Sequence, residues 1–158
     1  MSRFDPAWLD AQYNNRARVP GHPKVLQGWA ERSAQARASF SRRLDVRYDE
    51  GPMETLDIFP SPAADAPVLV FIHGGWWRSL DKSVHSFVAP PFVQRGVTVV
   101  VPNYALAPAV TIDQIAMQAV NALAWVHRNI ALYGGNPQRI VVAGEIRTPF
   151  GDRVRRVQ

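Results

Sequence analysis

The sequence contains no cysteine, so disulfide bonds and thiolate chemistry are excluded. It also lacks an apolar run of about eighteen residues, the length at which a membrane-spanning helix is expected. Its opening residues, MSRFDPAWLD, are polar and of mixed charge, without the apolar segment of a secretory signal. These absences lead us to expect a cytoplasmic protein with no membrane partner.

The excess of positive charge is concentrated at the end of the chain. The 158 residues carry 18 basic and 13 acidic side chains, a net charge of +5. Four arginines fall within residues 145–158, a segment with weak helix signals and no recognisable nucleic-acid-binding module. We therefore expect a basic, disordered tail that binds no nucleic acid.

One stretch, Pro67–Arg78 (PVLVFIHGGWWR), organises the rest of the chain. Val68–Ile72 is a short apolar run of the kind that forms a buried strand in a parallel sheet. It leads into Gly74 and Gly75, which lack the Cβ atoms that would keep backbone N–H groups away from a ligand. The stretch has two interpretations: an ordinary strand-to-helix turn, or a loop whose N–H donors stabilise an oxyanion.

The remaining patterns are helices and strands in alternation. Helical patterns over 5–13 and 23–38 come first, and we expect residues 1–40 to form a helical cap; a period-two hairpin follows over 43–60. Next come a helix over 83–95 interrupted by Pro90 and Pro91, a strand over 97–101, a helix opened by a Thr111–Gln114 capping box, and a strand over 140–143. This order predicts a single α/β domain over residues 1–144 with a parallel core.

Four motifs identify the family that the chain resembles: LDIFP, HGGWWRSLDK, NYALAP and YGGNPQRIVVAG, in that order. Over residues 4–144 the chain resembles α/β-hydrolases, and more narrowly the esterase-like proteins related to arylformamidase (kynurenine formamidase). The resemblance implies the N-terminal half of an α/β-hydrolase fold: N-terminal helices, a β-hairpin, then a parallel βαβαβ unit in an incomplete sheet. It also implies hydrolysis of small carboxylic esters or aryl formamides through a Ser-His-Asp triad, with no metal or other cofactor.

The same resemblance suggests which residues form the site. In this family the HGG loop supplies one side of the oxyanion hole, and here its N–H donors would belong to Gly74, Gly75 and Trp76. Trp77 and Tyr104 would help to form the substrate pocket. Because a large aromatic side chain also suits packing under the loop, we expect one tryptophan of the pair to line the pocket and the other to pack, without assigning which.

The resemblance ends abruptly after Gly144. The family continues with the nucleophile elbow GHSAGG, whereas this chain continues with Glu145, Ile146 and Arg147. The nucleophile position falls on Ile146, which has no atom able to attack a carbonyl group, and the acid and histidine that follow the serine in chain order are missing too. We therefore expect a catalytically inactive fragment. The alternative is a non-catalytic binding or regulatory protein that retains the HGG pocket.

Other polar residues offer no replacement for the triad. His73 is expected to shape its turn, and His85 to be a partly exposed structural residue. Residues two to six apart in one loop rarely point at a common centre, which argues against a triad drawn from Ser79, Ser83, Ser86, Asp81 and His85. No spacing of histidine and carboxylates matches a metal motif, so no metal is expected.

The strand over 140–143 would be central in a complete sheet. Here it is the last strong strand pattern, so we expect an open apolar edge. Such an edge can pair with a second copy of the chain, which makes self-association a further prediction.

Overall fold

The computed structural model describes residues 5–145 and 155–156. Its strands are β1 Arg43–Arg47, β2 Thr55–Phe59, β3 Ala66–Ile72, β4 Thr98–Pro102, β5 Gly135–Gly144 and β6 Arg155–Arg156. Its α-helices are α1 Pro6–Tyr13, α2 Asn15–Arg18, α3 His22–Ser39, α4 Ala89–Val93 and α5 Ile112–Asn129. The strands form one sheet in the order β1-β2-β4-β3-β5-β6.

The sheet joins an antiparallel hairpin to a parallel core. β2 runs antiparallel to both β1 and β4, and β3 lies between β4 and β5, parallel to each. The predicted hairpin, the parallel strands and the α/β fold class are therefore confirmed. Because β3 and β4 are parallel neighbours, the loops that follow Ile72 and Pro102 leave the sheet at the same edge.

Alternation along the strands supplies a hydrophobic cluster on each face of the sheet. On one face, α5 packs its Ala122 and Val126 against Ile58, Val70 and Val100. On the other face, α4 contributes Ala89 and Val93, which pack with Phe59, Leu69, Val99 and Val101. β3 and β4 are thus covered on both faces, as the continuous apolar runs in their sequences predict.

The helix predictions are confirmed at three places. α1 begins at Pro6, and α3 begins one residue before the predicted start. At the start of α5, Thr111 accepts a hydrogen bond from the Gln114 N–H, and the Gln114 side chain accepts one from the Thr111 N–H. This reciprocal pair is the capping box that the sequence predicts.

The helix predicted over residues 83–95, with an interruption at Pro90 and Pro91, was wrong in its extent and in the place of the break. The segment contains two 3-10 turns, Lys82–Val84 and Ser86–Val88, and then the short helix α4. Pro90 lies in the first turn of α4 rather than in the middle of a longer helix. Proline is tolerated there because the first N–H groups of a helix need no intrahelical partner.

β5 is longer than predicted, and part of its outer edge is covered. β6 pairs antiparallel with it at Val141 and Val142. The tail expectation remains a prediction, since residues 146–154 and 157–158, including Ile146 and Arg147, lie outside the described residues.

Candidate active site

The site is built at the edge of the sheet where β3 and β4 end. The loop after β3 carries His73, Gly74, Gly75, Trp76 and Trp77. Three successive residues there have positive φ angles, 125° at Gly75 and 56° at each tryptophan. Non-glycine residues rarely adopt this conformation, and its strain tends to occur at functional sites.

The unusual backbone leaves hydrogen-bond donors free. Among the described residues, the N–H groups of Gly74, Gly75 and Trp76 have no hydrogen-bond acceptor. The Trp77 carbonyl, by contrast, accepts a 2.7 Å bond from the Ala107 N–H, which ties this loop to the loop after β4. The loop is therefore fixed to its neighbour while three of its N–H groups keep no acceptor among the described residues. Donors fixed in this way can stabilise a negative charge without reorganising.

Asn103, the first residue after β4, holds both ends of the segment. Its Oδ1 lies 3.1 Å from His73 Nε2 and accepts a 3.3 Å hydrogen bond from the Lys82 N–H. Its own backbone is fixed as well, because its N–H donates to the Thr55 carbonyl and its carbonyl accepts from the Tyr48 hydroxyl. The side chain of Asn103 therefore ties residues 73 and 82 together.

Three aromatic rings stack behind the loop. The His73 ring lies 4.3 Å from the Tyr104 ring and 5.2 Å from the His85 ring, centroid to centroid. The Tyr104 hydroxyl donates a 2.6 Å hydrogen bond to the His73 carbonyl, and His73 Nδ1 lies 2.9 Å from the Gly74 carbonyl oxygen. The carbonyl groups of His73 and Gly74 are therefore both held by contacts within the protein.

Burial sets the protonation of this stack. It lowers the pKa of His73 and of His85, in each case against the hydrogen bond that the ring makes to a backbone carbonyl. It also raises the pKa of Tyr104 to about 12, with a smaller contribution from Glu145. At neutral pH the stack is therefore uncharged.

The end of the loop is fixed by an ion cluster around the buried Lys82, which the sequence analysis missed. Lys82 Nζ donates hydrogen bonds of 2.6 Å to Asp45 Oδ1 and 2.5 Å to Asp57 Oδ1. Burial opposes the charge of Lys82, but the bonds to Asp45 and Asp57 outweigh it and raise the lysine pKa. In the sequence, Lys82 appears only as the last residue of the motif segment SLDK. Its partners lie in the β1–β2 hairpin, which is distant in sequence.

A cavity of about 320 Å³ opens in front of the loop. It is lined by all five residues that the sequence predicted for the site: Gly74, Gly75, Trp76, Trp77 and Tyr104. Both tryptophans therefore line it, although Trp76 is 52% exposed and Trp77 is half-buried. Tyr104 is 4% exposed, so most of its side chain packs behind the loop.

A second cavity, of about 340 Å³, lies between α3 and the same loop. It shares Gly75, Trp76 and Glu145 with the first cavity. This cavity was not predicted from the sequence, because the apolar residues of α3 were interpreted as residues that pack a helical cap onto the domain.

The local triad drawn from the serines, Asp81 and His85 is not assembled. His85 Nδ1 lies 2.9 Å from the backbone carbonyl oxygen of Asp81, while the Asp81 carboxylate accepts from the Ser83 N–H. Ser79 Oγ donates to the Gly75 carbonyl, and Ser86 Oγ accepts from Arg37. The predicted partial exposure of His85 was wrong, since the residue is 0% exposed and packs against Trp29, Phe71 and Phe87.

Residues 5–145 and 155–156 contain neither a metal-binding cluster nor a membrane-spanning helix. No group of three histidines, cysteines or carboxylates there is arranged to hold a metal ion. No helix in that part of the chain combines the length and the apolarity needed to cross a membrane.

Comparison with known proteins shows what the chain is similar to. A model of the alpha/beta hydrolase fold matches residues 69–145. Kynurenine formamidase from Danio rerio is 34% identical over 102 residues, which are 63% of this chain and 34% of that protein. Isoprenylcysteine alpha-carbonyl methylesterase from Arabidopsis thaliana is 30% identical over 105 residues, which are 65% of this chain and 25% of that protein.

A solved structure is similar over a longer range. A protein from a Silicibacter species, provisionally assigned as a thioesterase, superposes with a TM-score of 0.77 at 32% identity. The match covers 86% of this chain and 50% of that one. The present chain thus spans half of that structure and about a third of the length of the kynurenine formamidases it matches.

Proposed function

We propose that this chain, which is similar to esterases and arylformamidases of the α/β-hydrolase fold, holds the oxyanion and substrate-binding half of an acyl-hydrolase site. Gly74, Gly75 and Trp76 supply the N–H donors for the carbonyl oxygen of the substrate. Trp77 and Tyr104 form the wall against which the substrate packs. The substrate class is a small carboxylic ester or aryl formamide.

The free N–H donors carry this proposal. A turn that only reverses the chain does not need several successive donors grouped at one cavity. Here the donors of three successive residues are unused among the described residues, and all three residues line one cavity. Asn103 and the stacked rings hold the surrounding carbonyls, so the donors are organised before any ligand arrives.

Hydrolysis needs a nucleophile that these 158 residues do not supply in the family's position. The sequence after Gly144 has no Gly-x-Ser-x-Gly motif, and Ile146 stands where the resemblance would place the serine. We therefore expect this chain, tested by itself, to bind an ester-like carbonyl compound without turning an ester over. A non-catalytic binding protein would show the same binding, and its natural ligand would not need to be an ester.

The test measures turnover and binding on the same purified protein. Hydrolysis of p-nitrophenyl acetate is followed for the 158-residue chain and its Ile146→Ala and Gly75→Ala variants. Binding of phenylacetone, a ketone that cannot be hydrolysed, is measured by calorimetry. We expect no turnover above buffer for any protein, and ketone binding that Gly75→Ala abolishes but Ile146→Ala preserves.

Two results would contradict the proposal in different parts. Turnover that disappears in Gly75→Ala and persists in Ile146→Ala would reveal a nucleophile beside the loop and overturn the expected inactivity. Ketone binding that survives Gly75→Ala unchanged would remove the loop from the binding site.

A further inference from the structure

We propose that the cavity between α3 and the loop after β3 binds a protonated primary amine that carries an apolar group. We call it the α3 cavity; its walls come from α3 and the segment before it, from the loop and from Glu145. Glu145 supplies the carboxylate that pairs with the ammonium group, His22 supplies a neutral acceptor, and the rings of Trp29 and Trp76 supply aromatic surface. The inference goes beyond the proposed function, because the amine needs no carbonyl group and undergoes no reaction there.

Glu145 gives the α3 cavity its negative charge. It is the only carboxylate among the described residues that line the cavity, and neither a lysine nor an arginine lines it. Lys24 and Arg78 each precede a lining residue in sequence, but they do not line the cavity themselves. No described lysine or arginine forms an ion pair with Glu145. A cation that enters the cavity therefore meets a carboxylate that no basic side chain neutralises.

His22 offers a second acceptor. Its Nδ1 lies 3.1 Å from the Val19 carbonyl oxygen. A carbonyl oxygen only accepts hydrogen bonds, so Nδ1 carries the ring proton, and in the neutral ring Nε2 keeps its lone pair. Because His22 lines the α3 cavity, Nε2 is the ring atom that can accept from a ligand. A primary ammonium group has three N–H donors, so it can use His22 and Glu145 together.

The start of α3 does not turn the cavity into an anion site. Free N–H groups at the N-terminus of a helix attract negative charge. Here the His22 N–H donates to the carbonyl three residues earlier, and the N–H groups of Lys24 and Val25 donate to the Gly21 carbonyl. Pro23 has no N–H group. The donors of the first turn are therefore used or absent, and the charge of Glu145 is not offset by them.

Two indole rings add to the attraction for a cation. Trp29 and Trp76 both line the α3 cavity, and Trp76 is 52% exposed. The Trp29 ring is held by the rings of His85 and Phe87, whose centroids lie 5.8 and 5.5 Å away. The face of a tryptophan ring attracts a cation through its quadrupole. At about 340 Å³, the cavity also reaches the lower range of small-molecule pockets, so an apolar group can follow the ammonium group into it.

The test compares three probes that share one apolar group and differ in charge: 4-phenylbutylamine, 4-phenylbutanol and 4-phenylbutanoate. Their binding to the intact 158-residue protein is measured by NMR titration at neutral pH. An ion pair at an exposed carboxylate and a cation–π contact together should make the amine bind at least about fivefold more tightly than the alcohol. The butanoate should bind more weakly than the alcohol, because its carboxylate and that of Glu145 repel each other.

Variants of the two acceptors locate the gain. Glu145→Gln removes the charge and keeps the size of the side chain, so it should lower the affinity for the amine to that for the alcohol. His22→Phe keeps a ring without an acceptor and should weaken amine binding about threefold. Glu31→Gln is the matched control, because it changes the net charge equally and Glu31 is exposed on α3 and lines neither cavity beside the loop. Circular dichroism confirms that each variant is folded before its binding is compared.

Several results would overturn the amine site. Equal affinities for the amine and the alcohol, tightest binding of the butanoate, or no binding of any probe would each do so. A preference for the amine that survives in Glu145→Gln, or that Glu31→Gln removes to the same extent, would show that Glu145 does not bind the ammonium group. The proposed function is tested separately, by ketone binding at the N–H donors of the loop.

Discussion

Gly75 lies at a φ of 125°, and a Cβ built there would come within 2.0 Å of the Ser79 carbonyl oxygen. That oxygen belongs to the backbone and cannot move aside without reshaping the loop. Gly28, on α3, has no atom within 4 Å of the corresponding position. The two glycines therefore make a matched pair for the same substitution.

We expect Gly75→Ala to lower the free energy of unfolding by about 2 kcal/mol, from strained backbone and the clash with Ser79. Gly28→Ala should raise it by about 0.5–1 kcal/mol, because alanine is the better residue inside a helix. Urea denaturation of both variants checks the pair. Equal effects of the two substitutions would mean that the loop does not hold Gly75 in this conformation.

His85 is the residue with the clearest pH dependence. Among described buried side-chain atoms, its Nε2 alone has no hydrogen-bond partner, and burial lowers the His85 pKa. The unfolded chain therefore binds a proton more readily than the folded one between the two pKa values. Stability from the neutral ring is complete above the unfolded pKa of about 6.5 and is lost as the pH falls toward the folded value.

We expect the His85→Phe variant to lose less stability than the unmodified protein when the pH falls from 7.5 to 5.5. Phenylalanine suits the surrounding Trp29 and Phe71 rings and cannot take up a proton, although the bond to the Asp81 carbonyl is lost. His73 keeps its own lowered pKa, so part of the pH dependence should remain. Identical changes in the urea midpoints of the two proteins would contradict the assignment.

At the scale of elements, the loop between β3 and the 3-10 turns depends on contacts from outside itself. Asn103 supplies the contact between its ends, and the Lys82 cluster attaches it to the β1–β2 hairpin. The loop therefore keeps its shape through residues that are 21 and 25 positions away in sequence.

The Asn103→Ala variant should release the loop before it affects the helices. Amide hydrogen exchange at Arg78 and Lys82, whose N–H groups donate to the Gly75 carbonyl and to the Asn103 side chain, should become at least about tenfold faster, because losing a buried hydrogen-bonding side chain costs about 1–3 kcal/mol. Asn129→Ala is the control, since it removes an asparagine side chain with one hydrogen bond, which Asn129 donates to the Trp125 carbonyl on α5. Loop exchange that stays unchanged in Asn103→Ala would show that Asn103 does not hold the loop.

The Lys82→Met variant should be destabilised by about 3 kcal/mol at pH 7, because it leaves the Asp57 carboxylate buried without its cation. Asp57 is 1% exposed. Since the folded state raises the Lys82 pKa, the stabilisation in the unmodified protein is complete below the unfolded pKa of about 10.4 and is lost at higher pH. The difference between the two proteins should therefore shrink in alkaline denaturation experiments, and adding Asp57→Asn should recover part of the loss at pH 7.

At the scale of the whole molecule, β5 is a strand whose outer edge is mostly unpaired among the described residues. β3 pairs with it at Gly135 and from Ile140 to Gly144, whereas β6 pairs with it only at Val141 and Val142. Its residues from Ile140 to Ala143 are only half-buried. An edge strand of this length with apolar side chains is a surface on which another strand can pair.

We therefore predict that removing residues 146–158 increases self-association. Sedimentation velocity over a range of concentrations should show dimers or larger species in the shortened protein at concentrations where the full chain is less associated. Removing residues 157–158 alone keeps β6 and serves as the control. A shortened protein that sediments as a monomer throughout would show that the β5 edge does not pair.

Local patterns were sufficient to predict most of the elements. The Thr111–Gln114 capping box, the alternation before and after Gly51 and the apolar runs of β3 and β4 each depend on neighbours in sequence, and each was confirmed. The segment 83–95 was predicted wrongly because the effect of Pro90 depends on where a helix starts. The five predicted site residues line one cavity, but their roles stay a proposal.

The sequence by itself determined the order of elements, the edge at which the two loops meet and the residues that follow Gly144, because these depend on periodicity, strand direction and residue identity. Only the tertiary structure decided that His85 is fully buried, that Lys82 pairs with Asp57, and that α3 forms a second cavity with Trp76. Each of these depends on which distant segments pack together. Burial and pairing are properties of the packed chain, and no local pattern encodes them.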